Sequence, residues 1–101
     1  MSTKSLSQRL QKIYGRLTFG SYLRSARTMQ DKTQKDMADF LGIPKSMLCD
    51  IEKGRQIPSI YLAVKMIRKC KLPEIMAVKY IMQDQLYQAG LKFDVQIKKV
   101  A

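Results

Sequence analysis

The chain contains no histidine. That absence removes the usual general base at neutral pH, every Ser-His or Cys-His nucleophile pair and the commonest zinc ligand, so an enzyme is not expected. Cysteine is scarce: Cys49 and Cys70 stand alone, without the Cys-x-x-Cys spacing of a zinc site or a redox motif. Both fall inside helical patterns, where a free thiol behaves as a small hydrophobe. No metal and no cofactor are expected. No run approaches the ~20 apolar residues of a spanning helix, and the amino terminus has no signal-peptide apolar region, so the expectation is a soluble, cytoplasmic protein with no membrane partner. Acidic residues are the last shortage. Eight Asp and Glu face nineteen Lys and Arg, a formal charge of +11 on 101 residues; this exceeds what solubility asks of a small domain and points to a polyanion. The length, 1–101, has room for a single domain with one small core.

What is present is helical punctuation. Leu6, Leu10, Ile13 and Leu17 recur at helical intervals in an amino-terminal extension, 5–17, with a helix over 5–14 that is basic on its polar side. Gly15 separates it from a second helix, capped by Thr18 and carrying Phe19, Leu23 and Ala26 inward to about Met29. Residues 30–32 read as a connection. Thr33, with Asp36 three residues on, caps a third helix whose inner face is Met37, Ala38 and Leu41 and which stops at Gly42. Pro44 opens a helix that runs to about Lys53 and is closed by Gly54. Ser59 caps the next, with Ile60, Ala63, Val64, Ile67 and Cys70 inward; Pro73 breaks it and begins another, which ends at Gly90. Leu91, Phe93, Val95 and Ile97 then alternate with Lys92, Asp94, Gln96 and Lys98, the period of a strand.

The 44–53 helix is short and has a narrow apolar stripe. Leu48 and Ile51 point one way, against Met37, Ala38 and Leu41, while the opposite face carries Ser46, Cys49, Asp50 and Lys53, with Lys45 in the first turn. A helix of this kind behind a tight turn is the second half of a helix-turn-helix unit, and its outward face is the one that enters a DNA major groove.

The run Leu23-Arg24, Arg27, Thr33-Gln34, Met37-Ala38, Leu41-Gly42-Ile43, Leu48, Ile51-Glu52-Lys53-Gly54-Arg55, Pro58-Ser59 resembles the Cro and phage-repressor type of helix-turn-helix domain, the XRE family, over about residues 19–72. Family members commonly have a Gly-Leu pair where this chain has Asp31-Lys32. The resemblance implies a mainly α, five-to-six-helix, lambda-repressor-like fold, here followed by the short carboxy-terminal β-strand. It places Lys45, Ser46, Cys49 and Asp50 where family members read bases, and Thr33, Gln34, Lys53, Arg55 and Gln56 along the phosphate backbone. It also implies an ion pair between Arg27 and Glu52.

One such domain reads too few base pairs to discriminate in a genome, and family members bind palindromic double-stranded DNA as homodimers. Residues 73–101 supply material for a dimer. An isolated strand is unstable, so Leu91, Phe93, Val95 and Ile97 are expected to pair with the same strand of a second subunit, with the 73–89 helix and a frayed tail as the alternatives. The resulting expectation is a sequence-specific regulator, a repressor of bacterial or phage type. An antitoxin that binds its toxin through 73–101 or 5–17 is the alternative, and an RNA-binding or coactivator module is a third.

Overall fold

A computed structural model describes residues 17–100; the amino-terminal helix expected over 5–14 lies outside the described residues. Among the described residues five helices follow one another: α1 (Phe19–Met29), α2 (Gln34–Leu41), α3 (Lys45–Glu52), α4 (Ile60–Lys69) and α5 (Glu74–Gln88). None is long and apolar enough to cross a membrane.

Side chains at the starts of α1, α2 and α4 satisfy some of the backbone donors that a helix leaves unpaired, whereas α3 and α5 begin behind Pro44 and Pro73 with no side-chain cap. Thr18 and Ser21 cap α1 reciprocally, at 3.0 and 2.9 Å, and the N–H of Phe19 donates to the buried Asp84 carboxylate of α5 at 3.0 Å. Thr33 and Asp36 do the same for α2, and the Ser59 hydroxyl accepts from Leu62 N–H at the start of α4. All five ends close alike. The residue after the last turn turns left-handed, and two backtracking N–H groups reach carbonyls of that turn, at Asp31, Gly42, Gly54, Lys71 and Gly90. Glycine is the residue without strain there; Asp31 (φ 54) and Lys71 (φ 58) hold the same backbone with a side chain attached.

The helices enclose one core of Phe19, Leu23, Met37, Leu48, Ile51, Met66, Ile67 and Ile81, each almost fully buried. α3 packs on α1 and α2, while α4 packs along α5, which also reaches α1. Gly20 permits one close approach, between α1 and the end of α3. A Cβ there would overlap the carbonyl oxygen of Ile51 and lie 3.1 Å from the Glu52 Cα, so only glycine lets α1 cross the end of α3 at this spacing. Two inward assignments change. Ile60 is exposed because it occupies the first turn of α4, before the helix meets the core, and Met66 is buried in addition to Ala63 and Ile67.

The carboxy-terminal strand is absent. Residues 91–100 have no strand among the described residues, and Leu91, Phe93, Val95 and Ile97 do not share one environment: Leu91 and Phe93 are exposed, Val95 is buried and Ile97 half-buried. The cause lies in α5. Gln83 donates its side-chain N–H to the Phe93 carbonyl at 2.7 Å and accepts the Val95 N–H at 2.9 Å, so one amide side chain takes the place of a neighbouring strand and lays the tail along the helix. The alternating pattern encodes an extended segment, and the side-chain clasp satisfies it inside the chain.

Candidate nucleic-acid interface

The α2–α3 unit begins with the turn after α2. Gly42 takes φ 72, and the Ile43 N–H returns to the Ala38 carbonyl at 3.0 Å, which directs the chain into Pro44 and α3. Leu48 and Ile51 are buried, at 0% and 1% exposure. With that stripe fixed inward, α3 presents Lys45 and Ser46 to solvent and leaves Cys49 and Asp50 half-exposed on the outer side. Lys53, Arg55 and Gln56 follow on the exposed loop that closes the helix.

The carboxy-terminal end of α3 is held by one carboxylate. Glu52, 9% exposed, accepts Arg27 Nε at 2.8 Å and an Arg27 guanidinium NH2 at 3.0 Å, and its Oε1 also accepts the side-chain amide of Gln34 at 3.1 Å. A third bond runs from the Arg27 guanidinium to the Lys32 carbonyl at 3.0 Å. Helices α1, α2 and α3 therefore share one node. Its energetic contribution is orientation more than net stability, since desolvation offsets much of the attraction between buried charges. The Gln34 amide carries two hydrogens, one of which is given to Glu52. The backbone N–H groups of Gln34 and Lys35 have no acceptor among the described residues.

Thr33 is committed locally. Its hydroxyl accepts the Asp36 N–H at 3.1 Å and its own N–H donates to the Asp36 carboxylate at 3.3 Å. The Thr33 hydroxyl first, and then the Thr33 N–H, favour the ionised Asp36 carboxylate and hold its carboxyl below its ordinary range. Asp50 has a basic neighbour: Arg55 lies 3.8 Å from its Oδ1, and the Asp50 carbonyl accepts the Arg55 N–H at 2.8 Å. An exposed pair at that distance is weak.

Lys32 occupies the place of the usual leucine in the α1–α2 turn, and its Nζ sits 3.7 Å from the centre of the Phe40 ring. The stem and ammonium thus cover an aromatic that a leucine would have covered with carbon alone. Sequence reasoning missed Asp84 and Gly20. The first was hidden because its partner is 65 residues away, the second because its role is to leave space for another helix. Among the described residues no group of three or more His, Cys, Asp or Glu side chains is placed to hold a metal ion.

A short helix behind a glycine turn, buried on one stripe and polar on the other, defines a helix-turn-helix DNA-binding domain. A helix-turn-helix family model matches residues 23–75, more than half of the chain, and the chain belongs to that family, the Cro and repressor type. Neither the curated proteins nor the solved structures contain a match. Family membership makes the chain a DNA-binding transcription regulator.

Proposed function

We propose that the protein is a sequence-specific repressor that binds palindromic double-stranded DNA as a homodimer. The observation that carries the reading is the outer side of α3, where Lys45, Ser46, Cys49 and Asp50 are accessible while Leu48 and Ile51 are locked in the core. Lys45 donates to a guanine edge, Ser46 to either groove partner, Cys49 touches a thymine methyl, and Asp50 accepts from a cytosine amino group and so acts on specificity more than on affinity. Gln34, with the unpaired N–H groups at the start of α2, takes a phosphate at a helix N-terminus, and Thr33 shapes that terminus. Lys53, Arg55 and Gln56 follow the backbone on the far side of α3. Arg27 and Glu52 set the angle at which α3 enters the groove.

The dimer surface is drawn from the carboxy-terminal third of the chain. Met82, Leu91 and Phe93 remain exposed there, at 37%, 46% and 65%, and these are among the apolar groups open to a second subunit once Val95 has turned inward. Two half-sites a helical turn apart then act through one linked pair of α3 helices. Selection of bound duplexes from a random pool tests the whole reading. The expected outcome is an inverted repeat; a non-palindromic consensus removes the homodimer, and recovery without any consensus removes sequence reading itself.

A further inference from the structure

Surplus charge and apolar surface meet at a place remote from α3. Residues 19–59 hold seven basic and five acidic side chains, whereas residues 60–100 hold eight basic and three acidic ones. The groove-reading half is nearly balanced, so DNA reading by α3 leaves the excess on the second half without a role. The tail lies over α4 and α5 and encloses with them an open cleft of about 570 Å³. Its floor is Ile75, Val78 and Ile97, each half-buried, and its rim carries Arg68, Lys98 and Lys99, all exposed. The acidic member of the lining, Glu74, is held by Arg68 at 2.6 Å. No carboxylate among the described residues lies within ion-pair distance of Lys98 or Lys99.

Each half of that lining excludes one class of occupant. A phosphate backbone matches the rim and leaves the aliphatic floor wet, since burial of apolar surface is favourable only against other apolar groups. A second copy of this chain matches the floor and brings its own lysines to the rim, where like charges oppose docking. An acidic amphipathic segment satisfies both. The far wall of the cleft also suits a peptide: beyond Val95 no backbone N–H of the tail is bonded within the described residues, so residues 97–100 adjust around a side chain without breaking a ladder.

We propose that the cleft between α4, α5 and the tail docks an acidic amphipathic segment of a protein partner, with its apolar side chains on Ile75, Val78 and Ile97 and its carboxylates on Lys98 and Lys99. The mode is helix-in-groove recognition with a charged edge. It stands apart from DNA reading, because no cleft residue belongs to α3 or to the loops that flank it.

The test uses the full chain and a short fluorescein-labelled synthetic peptide with leucines on one helical face and glutamates on the other. The amphipathic peptide binds, and a glutamate-only peptide of equal charge binds far more weakly. Lys98→Gln combined with Lys99→Gln, and separately Ile97→Ser, each lower peptide affinity by roughly tenfold or more with unchanged circular dichroism. Lys45→Ala with Arg55→Ala loses duplex binding and keeps the peptide, so a failure of the DNA reading is visible by itself. Three results overturn the proposal. Equal binding of the glutamate-only peptide, or none of either peptide, removes the floor from the recognition. A loss of duplex affinity in Lys98→Gln/Lys99→Gln as large as the loss of peptide affinity assigns the rim to DNA. Conversion of a dimer to monomer by Ile97→Ser in sedimentation assigns the cleft to a second copy.

Discussion

Lys45 and Arg55 sit within ten residues of each other, both cationic and both exposed, yet the proposed function gives them different work. Lys45 stands in the first turn of α3 and Arg55 on the loop past its end. Lys45→Ala is expected to cost ~1–3 kcal/mol on one base at one half-site position and little on other sequences. Arg55→Ala is expected to weaken all duplexes about equally and to flatten the dependence of log affinity on log salt by about one. Titrations of matched and mismatched duplexes over a salt series separate the two, and a uniform loss in both variants contradicts base reading by Lys45. Thr33 makes a second residue-scale case. Asp36 has a lowered pKa in the folded chain, so its contribution to stability is present above the unfolded carboxylate value and is lost as pH falls through the folded value. Thr33→Ala removes the larger cause, the hydroxyl, and keeps the backbone N–H. In a carboxyl NMR titration the Asp36 midpoint should rise toward the ordinary range, and the variant should show a smaller loss of stability on acidification over that window.

Helix ends show where sequence and structure part company. Gly42, Gly54 and Gly90 announced three of them, because a left-handed residue costs glycine nothing. Asp31 and Lys71 adopt the same geometry without any such signal, since the two returning N–H bonds and the packing behind them outweigh a local strain of ~1–2 kcal/mol. Lys71→Gly relieves that strain and gives back part of it as chain entropy in the unfolded state, so thermal or denaturant unfolding should show a gain of about 1 kcal/mol. Gly20 has the opposite sign. Alanine is the better helix former, but here its Cβ meets the backbone of Ile51 and Glu52, and Gly20→Ala should destabilise by ~1–3 kcal/mol and tilt the end of α3, with operator affinity falling alongside. The positions of α1 to α5 were readable from period and caps. Their contacts across long sequence distance, Gly20 with α3 and Asp84 with the start of α1, were not, because a single sequence carries no record of which helices cross.

At the scale of the molecule, the outward residues of α3 were legible because burial of Leu48 and Ile51 dictates what faces out, and the tail was not, because alternation specifies an extended backbone without naming its partner. A period of two is satisfied by a neighbouring strand or by one amide side chain; Gln83 supplies the second. Deletion of 91–101 therefore removes both the clasped segment and the exposed Leu91 and Phe93. The core of Phe19, Leu23, Leu48 and Ile67 draws on helices alone, and the shortened chain should still fold with unchanged helical content. Sedimentation should show it shifted toward monomer, and palindromic-duplex affinity should fall as two linked half-site contacts become separate ones. A persistent dimer would move the interface to α5.

The Gln83 clasp has a kinetic signature. Between Lys92 and Val100 the Val95 amide is the backbone N–H with an acceptor among the described residues. Its exchange with deuterium is slowed in proportion to how seldom the tail lifts from α5, while its neighbours exchange as in an unstructured peptide. The opening equilibrium of the whole arm is thus written in one resonance, which can be followed through DNA binding or dimerisation without a label.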